Sequence, residues 1–255
     1  MPSASSDWQP LPPETFDIPV HEIRRGYRSD VYFWRSKVVL EKAGMQDEVL
    51  MQVFQKNDAI ICGIDEALAV IKLCSGYYRN SERVYFVFDN YIKLKQQIRA
   101  TYHKDRDTWR QARQQRLELE QELDDLWVNT SSELKVSCLR DGDPVAPYDT
   151  VMTIAGPLYQ FAHLETIYLG VLARRTLIAT NVNRVVQAAK GKPILFFPAR
   201  FDHWTVQGGD GYAARIGGAA LVSTDAQGAW WGATGAGTTP HALIAACGGD
   251  TVKAA

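Results

Sequence analysis

KPILFFPARFDHW (192–204), GYAARIGG (211–218), VSTDAQG (222–228) and GAGTTPHA (235–242) follow one another as apolar run, glycine-rich return and polar loop. In the first, Lys192-Pro193 leads into the apolar run 194–197, which ends at a single cation, Arg200. Strands that stop at loops and alternate with helices predict an α/β layer. The return through Gly235 and Gly237 predicts a helix whose first turn carries Thr238, Thr239, Pro240 and His241. Threonine as its cap and proline at its first position would define the start. Arginine, histidine and helix-start N–H groups then converge at one end of a sheet, a surface suited to phosphates and acids.

The chain has 255 residues, 46% of them hydrophobic, enough for one full core and room for two domains. A net charge of -1 argues against a general binder of nucleic acid or anionic membrane. Cys62, Cys74, Cys138 and Cys247 lie far apart and form no CxxC pair. They outline neither a disulfide framework nor a zinc site, which suits a reducing cytoplasm. The first residues are polar and proline-rich, without the basic start or apolar core of a signal peptide, and no apolar run is long enough to span a membrane. At the other end, GGDTVKAA stops where an alternating pattern should feed another strand. The expectation is a chain that continues beyond Ala255 in its natural form.

Working back towards the start, residues 156–189 read as helical, with Phe161, Leu164, Ile167 and Leu169 inward and a second helix from Ala179. Residues 134–154 read as strands around the Asp141-Gly142-Asp143-Pro144 turn. Across 89–126, apolar residues recur at helical spacing from Leu94 to Leu126, predicting one long helix or a helical hairpin. Its first part is basic and its last part acidic, which reads as a solvated face or a docking surface. The run 84–88 is aromatic and β-branched, the composition of a strand. A helix is expected over 59–73 with Gly63 inside it, and a strand over 49–54. Ser29-Asp30 should start a helix with Val31, Trp34, Val38 and Val39 on its apolar stripe, ending near Gly44. Residues 1–20 are a polar tail.

Arg200, at the end of a buried strand, offers two parallel donors to a carboxylate or phosphate, although a strand-end salt bridge would use it equally. His203 is as well suited to a structural hydrogen bond as to a ligand. His241 could contact or accept a phosphoryl group, or simply cap its helix. Asp202, Asp210 and Asp225 show no spacing of a closed metal site. No GxGxxG, Walker or GxSxG element is present.

Taken together, GYRSDVYFWR (26–35), CGIDEAL (62–68), LETIYLGVLARRTLIAT (164–180), KPILFFPAR (192–200), Gly217-Gly218 with Ser223 beyond, and GTTPHAL (237–243) resemble the nicotinate phosphoribosyltransferases. The resemblance implies an N-terminal α/β sandwich domain (21–155, with a helical insertion at 89–130) followed by the first part of an irregular α/β barrel (156–255). It implies transfer of a phosphoribosyl group from phosphoribosyl pyrophosphate, accompanied by Mg²⁺, to nicotinate in NAD synthesis. An ATP-coupled form of the reaction would phosphorylate His241. It further implies a cytoplasmic homodimer with a site shared between subunits. Asp30 and Tyr32 would reach into the neighbour, Tyr32 stacking on the pyridine ring, and Arg35 would contribute to phosphate binding there. Arg200 would hold the nicotinate or the phosphoribosyl side, with Thr180, His203, Ser223 and Thr238 as substrate-binding residues. Two departures stand out: the family's later barrel strands are not in this chain, and no acidic residue follows two positions after Gly218. The rival expectations are a quinolinate or nicotinamide phosphoribosyltransferase, and a non-catalytic fragment acting as a binding module.

Overall fold

Gly44 sits at φ 64°, ψ 24°, the left-handed conformation in which glycine ends a helix at little cost, and the helix expected after Asp30 stops there. The computed structural model describes residues 9–255; the first eight residues of the expected tail lie outside the described residues. In chain order the first elements are α1 (Val20–Arg24), α2 (Val31–Ala43), β1 (Glu48–Phe54), β2 (Ala59–Ile60), α3 (Ile64–Cys74) and β3 (Gly76–Tyr78). Then come α4 (Ser81–Thr101), α5 (Arg106–Leu126), β4 (Trp127–Asn129), β5 (Lys135–Cys138), β6 (Pro144–Val145), β7 (Thr150–Pro157) and α6 (Glu165–Ala188). The remainder is β8 (Leu195–Phe196), α7 (Gln207–Ile216), β9 (Leu221–Val222), α8 (Asp225–Gly228), α9 (His241–Ala246) and α10 (Thr251–Ala254). The mixture is an α/β fold, as the sequence predicts. No described helix is long and apolar enough to cross a membrane.

The chain divides into two compact units. Unit 1 takes the residues up to Asn57, Gly63–Arg140 and Val145–Ala173; unit 2 takes Asp58–Cys62, Asp141–Pro144 and Arg174–Ala255. In unit 1, β1, β7 and β5 form an antiparallel sheet in that order, with Leu50 opposite Ala155 and Val136 opposite Ile154. A second pair, β3 and β4, brings Gly76 opposite Asn129. A Cβ on Gly76 would stand 2.0 Å from the Val128 carbonyl oxygen, so only glycine permits this approach.

The region 81–126 is a helical hairpin, with the reversal at 102–105. The run 84–88 is helical, correcting the strand expectation. Val84, Val87, Phe88 and Tyr91 fall on one helical face and bury themselves against Leu123, so tertiary packing overrides β propensity. Asn80 caps α4 through the Arg83 N–H, and Asp105 caps α5 through the N–H groups of Asp107 and Thr108. The acidic end of α5 pairs with cations outside the basic stretch, Glu122 with Arg83 of α4 and Asp124 with Arg24 of α1.

Three other expectations change. The helix placed at 59–73 begins only at Ile64, because Gly63 adopts φ 99° as its N-cap and the residues before it are extended. The helix from Ala179 does not exist separately: after two 3-10 turns at Leu158–Gln160 and Ala162–Leu164, one helix runs Glu165–Ala188, and Leu169 lies exposed on it. The helix expected after Gly237, α9, starts at His241, since Pro240 is extended (φ -74°, ψ 145°) and serves as the N-cap with no side-chain cap. Neither Thr238 nor Thr239 caps it.

On α2 the expected stripe is only half buried: Val31 and Val39 are exposed and Lys37 is enclosed. The Lys37 ammonium donates to the carbonyls of Gly76 (2.6 Å) and Tyr159 (2.6 Å) and pairs with Glu41 (2.8 Å), using all three donors. His163 is fully buried beside it, with Nε2 3.1 Å from the Cys74 carbonyl. Burial first, and the Lys37 charge second, hold its pKa well below the usual imidazole value.

Candidate functional site

Unit 2 contains a parallel strand pair, with Leu195 opposite Leu221 and Phe196 opposite Val222. Parallel strands leave by the same edge, where ligands of α/β folds collect. From β8 the chain enters a tight turn, Phe201 N–H bonding the Pro198 carbonyl at 2.8 Å, with Arg200 exposed at its tip. From β9 it enters Ser223 and Thr224. The Thr224 hydroxyl accepts from the Gln227 N–H, while the Gln227 side chain accepts from Thr224 N–H, a reciprocal capping box for α8. The same Gln227 oxygen receives the Ser223 hydroxyl at 3.0 Å. A third segment lies on this edge: the Ala236 N–H bonds the Val222 carbonyl at 2.8 Å, and Gly235 crosses Thr224 so closely that a Cβ would lie 2.7 Å from its Cα. Gly237, Thr238 and His241 continue from there, all exposed.

Beside this edge sits a charged cluster. Asp210, 1% exposed on α7, accepts both arms of the Arg174 guanidinium (2.9 and 2.6 Å) and one from Arg175 (3.0 Å). The hydrogen bonds from Asp210 raise the Arg174 pKa, and the charge of Asp202 in the β8 turn raises it further, which ties the cluster to the loop carrying Arg200. Arg175 also stacks over Trp230 at 5.4 Å. Two arginines sharing one carboxylate leave a net positive charge held in place by packing.

The glycines of α7 make this possible. A Cβ on Gly209 would fall 1.8 Å from Arg175 Cζ, and one on Gly211 would fall 2.1 Å from the Gln227 carbonyl oxygen. Asp225 accepts from the Gly235 N–H at 2.8 Å, so Asp210 and Asp225 are both committed. Among the described residues no group of three or more His, Cys, Asp or Glu side chains could hold a metal.

The residues singled out by sequence fall into two sets. In unit 2, Arg200, Ser223, Thr238 and His241 lie on the segments that leave or border β8 and β9. His203 uses Nδ1 to accept from the Thr205 N–H, as a cap of the short turn Trp204–Val206. The Thr180 hydroxyl accepts from Ile60 N–H (3.0 Å) and faces its carbonyl (3.4 Å). Thr176 makes the same pair of contacts to Cys62. Four residues along a helix rise ~6 Å, and two residues along a strand span about the same, so two hydroxyls serve as a clamp for an extended segment. In unit 1, Asp30 exchanges bonds with Thr166, its N–H to the hydroxyl (2.9 Å) and its carboxylate from it (3.0 Å). Tyr32 is 61% exposed with its ring 4.1 Å from that of Phe33, and Arg35 is exposed.

Sequence reasoning missed Arg174, Arg175 and the anchoring role of Asp210. The available signal was Gln207-Gly208-Gly209-Asp210-Gly211: three glycines in a helix each cost about 1 kcal/mol against alanine, so close approach must require them.

The family model described as quinolinate phosphoribosyl transferase, N-terminal domain, matches residues 122–176. Nicotinate-nucleotide pyrophosphorylase from Pyrococcus furiosus superposes with a TM-score of 0.64 at 28% identity, over 94% of this chain and 48% of that one. The chain resembles phosphoribosyltransferases. Human nicotinic acid phosphoribosyltransferase shares the fold, with a TM-score of 0.60 at 19% identity over 86% of this chain and 40% of that one. No match was found among curated proteins. The chain thus spans half or less of the length of these two solved structures.

Proposed function

We propose that the protein transfers a phosphoribosyl group from phosphoribosyl pyrophosphate to nicotinate, giving nicotinate mononucleotide and pyrophosphate for NAD synthesis. The observation that carries this reading is the gathering of Arg200, Ser223 and the 235–241 segment at the exits of a parallel strand pair, beside the Asp210-anchored arginines. The likeness to the Pyrococcus furiosus protein supports phosphoribosyl transfer as the reaction class.

Displacement at the anomeric carbon releases pyrophosphate with growing negative charge, and fixed cations stabilise that charge without reorganising. Arg174 and Arg175, held by Asp210, are such cations. Arg200 pairs with the carboxylate of the pyridine acid or with a phosphate. The pyridine nitrogen already carries its lone pair, so orientation replaces a general base. Mg²⁺ enters as the counter-ion of the pyrophosphate substrate. The described residues do not fit a resident metal, because Asp210 is neutralised by two guanidinia. In the ATP-coupled form, the exposed His241 is the phosphoryl acceptor. Asp30, Tyr32 and Arg35 complete the site of a second copy, and exposed Tyr27, Val31, Tyr32 and Val39 give the apolar surface for that contact.

A second reading, quinolinate as the acid, is favoured by the family-model match, by the likeness to the Pyrococcus furiosus nicotinate-nucleotide pyrophosphorylase, and by the two further arginines held on Asp210. Pyrophosphate release with phosphoribosyl pyrophosphate and Mg²⁺, measured in turn with nicotinate, quinolinate and nicotinamide, separates the two. Activity with nicotinate, lowered at least tenfold by Arg200→Ala, supports the first reading. Release with none of the three acceptors rejects both and leaves a binding module.

A further inference from the structure

A cavity of about 690 Å³ opens in unit 1 among α2, the β3–α4 junction and α1, and none of its lining residues is assigned a role in transfer. It lies within the ~300–1,000 Å³ range that accommodates a drug-sized ligand, several times larger than a lone pyridine acid requires. Arg25 lines it, half-buried, with its guanidinium 4.8 Å from the Trp34 ring, 5.7 Å from Tyr85 and 5.8 Å from Phe88. Trp34 reaches that position because Gly26 leaves room: a Cβ there would lie 2.2 Å from the indole.

Among the described residues no carboxylate pairs with Arg25. Ring faces attract the cation but satisfy none of its five N–H donors. Burial lowers its pKa, the mark of a charge poorly compensated by protein. Tyr78, another lining residue, holds a buried hydroxyl without a partner, close enough to Arg25 to feel its charge. At the rim stand Lys42 and Arg79, both exposed and outside any ion pair among the described residues. The one acidic lining residue, Glu41, is committed to Lys37. Cations without partners thus face an aromatic wall formed by Tyr77, Tyr85 and Tyr159.

We propose that this cavity binds a nucleoside monophosphate, with its phosphate on Arg25 and the rim cations and its base against the tyrosine wall. The phosphate supplies the acceptors that Arg25 lacks, and the ring supplies the area that fills the volume. None of the lining residues is used by the transfer reading, so the two can fail separately.

Isothermal titration of the full chain with AMP, nicotinate and inorganic phosphate tests it. AMP should bind saturably, at least tenfold more tightly than nicotinate or phosphate, each of which offers half of the contacts. Arg25→Met, which keeps an aliphatic stem beside Trp34, should weaken AMP at least tenfold. Lys42→Glu combined with Arg79→Glu should weaken it severalfold; both substitutions are on the surface, so this variant decides the matter if Arg25→Met fails to fold by circular dichroism. Arg200→Ala should leave AMP affinity unchanged. The proposal is overturned if AMP does not saturate, if the folded cavity variants bind it as the parent does, or if Arg200→Ala abolishes binding while the cavity variants retain it.

Discussion

Replacing Asp210 with asparagine keeps its shape and removes the charge that two arginines share. The parent carboxylate receives three charge-assisted bonds, at 2.9, 2.6 and 3.0 Å. Breaking a buried pair costs about 3–5 kcal/mol, because a desolvated charge is left behind. That figure applies to Arg175, whose side chain is 12% exposed, but not to Arg174, which at 42% keeps much of its hydration and counts for roughly 0.2–1 kcal/mol. The amide oxygen can still accept one bond, which offsets about 1 kcal/mol. The sum is a loss of about 3 kcal/mol, or a fall in Tm of roughly 6–12 °C for a chain of this length. Thermal unfolding of Asp210→Asn beside Arg174→Gln measures it, with the Arg174 change expected to cost no more than about 1 kcal/mol. If Asp210→Asn melts within 2 °C of the parent, the cluster stabilises nothing and the reasoning about anchored cations fails.

Gly211→Ala should destabilise by about 1–3 kcal/mol, since its Cβ meets the Gln227 backbone and not a movable side chain; chemical denaturation reads the shift in midpoint. Asn80→Ala should cost about 1 kcal/mol by removing the cap on α4, visible as faster amide exchange at the start of that helix. His163 gives a pH dependence. Its folded pKa is depressed, so the unfolded chain binds the extra proton first; stability falls as pH drops below about 6.5, by at most ~1.4 kcal/mol per unit until the folded pKa is reached. His163→Gln should remove that part of the slope between pH 6.5 and 5.5 in amide exchange of α3; an unchanged slope would assign the titration elsewhere.

What could be read from the chain divides along local and tertiary physics. Gly44 states the end of α2 outright by its left-handed conformation, whereas Asp30 stands at the start without capping it, its carboxylate being turned to Thr166. Over 89–126 the period makes the helices legible while leaving one long helix and a hairpin open. At 84–88 the composition favoured a strand, yet the same side chains make a helical face once Leu123 is opposite, a partner 35 or more residues away that no local window contains. Gly63 was read as an interior residue and proved to be the helix entrance, a matter of its positive φ. At the site, Arg200 and His241 were visible as chemically capable residues at loop positions. The Asp210 cluster was not, because a carboxylate and the arginines it holds are separated by 36 and 35 residues and only packing makes them neighbours.

The clamp of Thr176 and Thr180 on Ile60 and Cys62 has a bearing on how the polypeptide can be cut. Unit 2 borrows its extended segment from the first quarter of the chain, so a ribosome releases that piece more than a hundred residues before the helix that receives it. A fragment beginning at Arg174 would lack the strand its threonines grip. To obtain this half in isolation, an engineer would have to splice the Asp58–Cys62 peptide onto it by a new connection.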